Sequence, residues 1–210
     1  MTNPLATRSL YLCTPLRDDL TNFVSAVVRG GVDVVQLRDK QAEHAELVTA
    51  GRELALLCRD LGVPFVMNDS PELALEVGAD GVHVGQDDVS VARCRELVGD
   101  AAIVGLSTHA DAEFTTSLPL PLTYRSAGPI VPTPTKEGRE PTGVDYAVRC
   151  ATHSSDPVFV TGGVDPETIG ALVAQGLRHF VVVRALTLAM NPEAEARRLR
   201  DALDEALANN

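Results

Sequence analysis

The 210-residue chain is poor in lysine. It has two, Lys40 and Lys136, beside sixteen arginines, and with 29 acidic side chains its formal net charge is −11. That balance excludes a general binder of nucleic acid or of anionic membranes, which needs the opposite sign. Long hydrophobic runs are also missing. No apolar stretch approaches the ~18 residues of a membrane span, and Met1 to Leu12 shows no apolar core followed by a small-residue cleavage site, so no secretory signal is expected. Cysteine is sparse: Cys13, Cys58, Cys94 and Cys150 are widely spaced, with no C-x-x-C pair and no histidines at zinc-finger spacing. This disfavours a disulfide framework and fits reduced, mostly buried thiols of a cytoplasmic protein. The first strand ends at Cys-Thr-Pro (13–15), without the G-x-G-x-x-G turn of a dinucleotide site. No Ser/His/Asp or Cys/His grouping suggests covalent catalysis.

What is present is a repeated alternation. Short β-rich runs are expected at Ser9–Cys13, Val32–Leu37, Phe65–Met67, Gly81–Val84, Ile103–Leu106, Leu122–Ser126, Val158–Thr161 and Phe180–Val183. Helices are expected at Asp19–Arg29, Glu43–Leu61, Pro71–Val77, Ser90–Val98, Val144–Ala151, Pro166–Gln175 and Pro192–Leu207, with a brief one inside Ala110–Leu120. Ser70-Pro71 and Asp165-Pro166 match the N-cap followed by proline that starts a helix, and Gly78 and Gly176 suit C′ positions. Eight strands with helices between them predict a parallel sheet, and eight closes a single-domain (β/α)₈ barrel spanning residues 1–210. A doubly wound open sheet is the runner-up.

A barrel places its chemistry at the C-terminal ends of its strands. Those positions hold Gln36, Arg38 and Lys40 after strand 2; Asn68 and Asp69 after strand 3; Gln86, Asp87 and Asp88 after strand 4; Ser107 and His109 after strand 5. Thr133, Thr135 and Lys136 follow strand 6, Gly162 and Gly163 follow strand 7, and Arg184 follows strand 8. The opposite ends carry mostly Gly, Ala, Asp and Pro. Strand alternation puts residues 36, 38 and 40 on one side, a patch suited to a phosphate or diphosphate. Asp69 and one of Asp87 and Asp88 are candidates to hold Mg²⁺ with phosphate oxygens, and spacing alone does not separate the latter two. Thr133, Thr135 and Lys136 form an anion-binding loop. The backbone amides of Gly162 and Gly163, with Arg184, match the phosphate site that barrels form after strands 7 and 8. Two anion sites on one rim are therefore expected. His83, within a strand, reads as a satisfied interior histidine, and His109 stays in reserve.

Q-L-R-D-K at 36–40, N-D at 68–69, H-V-G-Q-D-D at 83–88, G-L-S-T-H at 105–109, G-P-I-V-P-T-P-T-K at 128–136 and G-G at 162–163 together resemble the thiamine phosphate synthase family, across nearly the whole chain. The resemblance implies a transferase that joins 4-amino-2-methyl-5-(diphosphooxymethyl)pyrimidine to a thiazole ethyl phosphate, releasing diphosphate. It implies that Gln36, Arg38, Lys40, Asn68, Ser107 and Lys136 hold the pyrimidine diphosphate, with Arg38, Lys40, Ser107 and Lys136 catalytic. It assigns Mg²⁺ to Asp69 and Asp88, and the thiazole phosphate to Thr133, Thr135, Gly162, Gly163, Val183 and Arg184. It further implies a dissociative displacement, in which the C–O bond to diphosphate breaks before the thiazole nitrogen attacks. The partners implied are two phosphorylated small molecules, with no nucleic acid and no membrane; homo-oligomerisation is left open. Two departures stand out: Arg184 occupies a position where many members carry serine, and 118–127 lacks the usual Gly-Ala-Asp return before strand 6. The alternatives are a thiazole tautomerase-like barrel using His109, a non-catalytic barrel that binds thiamine phosphates, and another phosphate-handling barrel such as a sugar-phosphate isomerase.

Overall fold

A computed structural model describes residues 3–133 and 140–210. Eight parallel strands close in sequence order: β1 Leu10–Thr14, β2 Val34–Leu37, β3 Phe65–Asn68, β4 Gly81–Val84, β5 Ile103–Thr108, β6 Tyr124–Ala127, β7 Val158–Thr161 and β8 His179–Val182. Between them lie α1 Leu20–Arg29, α2 His44–Leu61, α3 Pro71–Val77, α4 Val91–Val98, α5 Asp111–Ser117, α6 Val144–His153 and α7 Ile169–Ala174, and after β8 come α8 Arg184–Thr187 and α9 Pro192–Ala208. This is the (β/α)₈ barrel that the alternation predicts. Among the described residues, no helix is long and apolar enough to cross a membrane.

Alternation along each strand sorts the side chains into two cores. Outward residues such as Leu10, Val35, Phe65, Val82 and Phe180 pack against the helices. Inward residues Tyr11, Val34, Val66, Ile103, Tyr124 and Phe159 fill the barrel with Leu5, which plugs its lower end. One step further along the strands, the inward positions turn polar: Gln36, Asn68, His83, Ser107, Ser126 and Thr161. An apolar lower layer under a polar upper layer puts the reactive groups at the C-terminal rim. Gly105 is inward too, and it must lack a side chain, because a Cβ there would lie 2.2 Å from the Tyr124 ring.

Several expected boundaries move, for local reasons. Strand 2 starts at Val34, because Asp33 stops to accept the backbone N–H groups of Ser9 and Leu10 (2.9 Å each). Asp80 does the same for Phe65 before β4 (2.8 Å). Before β6 the chain has Thr123 in that position, and its hydroxyl accepts the Val104 N–H at 3.0 Å. The missing Gly-Ala-Asp return is thus replaced by a threonine latch, and strand 6 begins at Tyr124 instead of Leu122. The helix expected from Pro166 starts at Ile169 instead. Asp165 takes the N–H groups of Glu167 and Thr168 (3.1 and 2.8 Å) and holds 166–168 as a turn. Strand 8 ends at Val182, so Val183 lies beyond it and Arg184 opens the short helix α8.

The barrel's seam joins β8 to β1. There His179 Nδ1–H donates to the Arg8 carbonyl at 2.6 Å and Phe180 N–H to Ser9 O at 2.8 Å. Burial pushes the His179 pKa down, outweighing the Arg8 carbonyl and the Asp33 charge. Its neutral form stabilises the fold above the ordinary histidine value near 6.5, and that contribution is lost as pH falls through the depressed folded value. The expected result is a Tm difference between the native protein and His179→Gln that shrinks from pH 7.5 to pH 5. A difference independent of pH in thermal melts would count against this.

Candidate active site

The polar upper layer opens into one cavity of about 770 Å³. Its wall includes Gln36, Arg38, Lys40, Asn68, Asp69, Asp88 and Ser107 on one side, and Thr133, Gly162, Gly163, Val183 and Arg184 on the other. Twelve of the fourteen residues to which the resemblance assigns a role therefore meet in a single space. Thr135 and Lys136 lie outside the described residues.

On the β2–β4 side, the strand ends at Leu37, so Arg38 and Lys40 stand in the following loop and not on a strand. They still face the cavity, because Asp39 is turned the other way and ties the loop down, accepting the N–H groups of Leu16 (3.1 Å) and Gln41 (3.0 Å). Lys40 Nζ sits 3.0 Å from Asp69 Oδ2. Asp69 has φ 65, the left-handed region that non-glycine residues seldom adopt, and its own N–H donates to the His83 carbonyl at 2.8 Å. Such an outlier fits a side chain aimed by its surroundings at a functional point. Asp88 is fixed by the Gly85 N–H at 2.7 Å and lies close enough to Asp69 for the two carboxyl groups to affect each other's ionisation. Asp87 also lines the cavity, but the carboxylate that meets Asp69 is that of Asp88.

Burial pushes the Asp69 pKa up; Lys40 opposes this and Asp88 adds to it. Burial also works against the Asp88 charge, but the Gly85 N–H, the Asp69 hydrogen bond and Lys40 outweigh it and hold Asp88 below the usual range. Two carboxyl groups brought together beside the Lys40 ammonium mark a place where positive charge is needed. Hard oxygen donors suit Mg²⁺. Among the described residues no group of three or more acidic, histidine or cysteine side chains is placed to hold a metal. Two carboxylates leave the other coordination positions to substrate oxygens and water, which is how Mg²⁺ is commonly bound with phosphates.

On the β7–β8 side, Gly162 and Gly163 are consecutive left-handed residues (φ 89 and 71), and a Cβ on Gly163 would fall 2.5 Å from Val131. Their backbone is bare and packed close under the β6 loop. The α7 amides are not part of this cradle, since Asp165 already occupies the turn before that helix. Arg184 and Arg38 bring guanidinium groups to the cavity that no described side chain pairs.

The floor holds groups that rim positions alone did not single out. His83 is buried, with Nδ1 at 2.8 Å from the Tyr124 hydroxyl and Nε2 at 2.9 Å from Ser107 Oγ; it is the satisfied interior histidine expected, and it lines the cavity. Tyr11 and Tyr124 were missed, although strand alternation places both inward. His109 lines the cavity as well, with Glu113 accepting its backbone N–H (2.7 Å) and lying 3.2 Å from its ring Nδ1.

Comparisons with known proteins bear on the family and the fold. The model of the thiamine monophosphate synthase family matches residues 10–186. The thiamine-phosphate synthase of Mycobacterium sp. strain KMS is 40% identical over 212 residues, covering 95% of this chain and 94% of that protein. That of Mycolicibacterium smegmatis is 39% identical over 211 residues, covering 94% and 93%. Among solved structures, a thiamine phosphate pyrophosphorylase from Pyrococcus furiosus superposes with a TM-score of 0.85 at 24% identity, covering 96% of this chain and 98% of that one. A 3-hexulose-6-phosphate synthase superposes at 0.67 with 18% identity, covering 93% and 99%. At those identities the superpositions speak for the shared barrel alone. The match across residues 10–186 and 40% identity over nearly full lengths establish that the chain belongs to the thiamine monophosphate synthase family, transferases of thiamine biosynthesis.

Proposed function

We propose that the cavity joins 4-amino-2-methyl-5-(diphosphooxymethyl)pyrimidine to a thiazole ethyl phosphate, giving thiamine phosphate and diphosphate. The observation that carries the reading is the meeting of two anion-binding sets, β2–β4 and β7–β8, in one cavity. A tautomerase acting on the thiazole alone has no use for the first set, and neither has a sugar-phosphate isomerase. In this reading Gln36 and Asn68 orient the pyrimidine half while Arg38, Lys40 and Ser107 receive its diphosphate. Thr133, Gly162, Gly163, Val183 and Arg184 hold the thiazole phosphate, Arg184 offering a bidentate grip. Asp69 and Asp88 would hold Mg²⁺, whose charge would offset that of the diphosphate.

The division of labour needs no general base. The C–O electron pair leaves with the diphosphate, and Arg38, Lys40 and the Ser107 hydroxyl stabilise the developing negative charge. The thiazole nitrogen then gives its lone pair to the cationic methylene carbon, and the β7–β8 grip keeps it in line for attack. We also assign the chain to the cytoplasm, where its four buried thiols, joined by no disulfide, stay reduced.

Mixing the protein with both substrates, with and without Mg²⁺, tests the reading. Thiamine phosphate and diphosphate are expected in equal amounts with the metal, and product formation should collapse when it is chelated. No product from competent substrates in the presence of Mg²⁺ would overturn the assignment.

A further inference from the structure

Beneath the cavity runs an unbroken chain of buried hydrogen bonds. The Cys13 thiol donates to Gln36 Oε1 (3.2 Å), and Gln36 Nε2 donates to the Tyr11 hydroxyl (2.9 Å). The Tyr11 and Tyr124 hydroxyls are 2.8 Å apart, Tyr124 is 2.8 Å from His83 Nδ1, and His83 Nε2 is 2.9 Å from Ser107 Oγ. The next contact, Ser107 Oγ to Ser126 Oγ, is longer at 3.3 Å. The chain crosses the barrel from β1 and β2 to β4, β5 and β6.

With Gln36 Nε2 facing Tyr11 and Oε1 facing Cys13, donor accounting sets its direction. Tyr11 accepts from the Gln36 amide, so its own O–H must point to Tyr124. Tyr124 then donates to His83 Nδ1, which leaves the ring hydrogen on Nε2 to be donated to Ser107. With the amide so placed, the reverse order would strand the Tyr11 O–H without an acceptor in a fully buried place, which burial makes costly. Burial also keeps both phenols protonated, since it pushes each pKa far above its ordinary value. Ser107 Oγ is thereby committed as an acceptor below, and its hydrogen is left for the weak Ser126 contact or for an oxygen in the cavity. The Ser107 main chain is held in place as well, its carbonyl accepting from Gln86 Nε2 at 2.6 Å.

We propose that Tyr11, Tyr124 and His83 are positioning residues whose ordered hydrogen bonds present the Ser107 hydroxyl as a donor to the departing diphosphate. This rests on the diphosphate site proposed above. None of the three needs to touch the diphosphate. They act by removing the alternative in which Ser107 gives its hydrogen to the floor, so that no reorientation is needed as charge develops.

A double-mutant cycle tests it in the intact protein with both substrates and Mg²⁺. Tyr124→Phe keeps the ring and removes the hydroxyl; it should lower kcat about tenfold and leave both KM values within about twofold. In a Ser107→Ala background the same change should cost less than about twofold, because the hydroxyl it orders is gone. His83→Gln, whose amide nitrogen can replace Nε2 as donor, should retain more turnover than His83→Leu. Equal losses for Tyr124→Phe in both backgrounds, or no advantage of glutamine over leucine at 83, would overturn the proposal. Absence of turnover in the unmodified protein would instead strike at the synthase reading itself.

Discussion

Lys40→Ala should lower turnover by about 10²- to 10³-fold, the effect of deleting one charge-stabilising donor from a preorganised site, and change the KM for the thiazole phosphate by less than about threefold. Lys40 lies on the β2–β4 side of the cavity, 3.0 Å from Asp69, while the thiazole phosphate is assigned to the opposite wall. Arg184→Ala should do the reverse. Loss of a charge-assisted, bidentate contact raises that KM about 10- to 100-fold and leaves saturated turnover nearly intact. Steady-state kinetics with each substrate varied in turn separates the two. If Lys40→Ala mainly weakened the thiazole phosphate, the division of the rim into two anion sites would be wrong.

The largest stability loss is expected at a residue outside the cavity. Arg125 faces outward from β6 and is buried, yet fully engaged. Its guanidinium donates to Ser117 Oγ (2.8 Å), the Ser117 carbonyl (2.6 Å), the Leu118 carbonyl (3.2 Å) and Asp156 Oδ2 (2.7 Å). It therefore stitches the end of α5 and the turn before β7 to the strand between them. Arg125→Met removes the buried partner of an ion pair with part-exposed Asp156 and strands carbonyl acceptors, costing about 3 kcal/mol. In a chain of this size that lowers Tm by roughly 6–12 °C. Turnover measured well below the transition should stay near native. A shift under about 2 °C would mean the Arg125 contacts add little, and a collapse of activity at low temperature would mean β6 no longer shapes the cavity.

The barrel and its rim were legible because they depend on local order. Alternation, caps and turn residues mark each βα unit, and the rim follows from where each strand ends. Asp88 was harder. Asp87 is one residue away and lines the same cavity, and only the approach to Asp69 across two strands separates them. The floor was illegible for a related reason. Tyr11 and Tyr124 are 113 residues apart, and their pairing depends on closure of the barrel and on the bare Gly105 beside the ring. Substitution of function also hid the start of strand 6: Thr123 performs with a hydroxyl what Asp33 and Asp80 do with carboxylates. At Asp165-Pro166 the N-cap and proline signature places the helix start three residues too early, because Asp165 holds 166–168 as a turn.

Those three latches have a kinetic consequence. Asp33, Asp80 and Thr123 each bind the strand immediately before their own, across 24, 15 and 19 residues. The His179–Arg8 bond at the seam spans 171. Loop-closure entropy rises only slowly with length, yet that difference alone makes the seam about 2 kcal/mol dearer to close than a latch. Neighbouring strands can thus zip in pairs, each held by a contact already present in a short fragment, while β8 meets β1 only after the whole circle is laid down. Circular permutation at the seam would remove no latch and would leave the late step to another pair of strands.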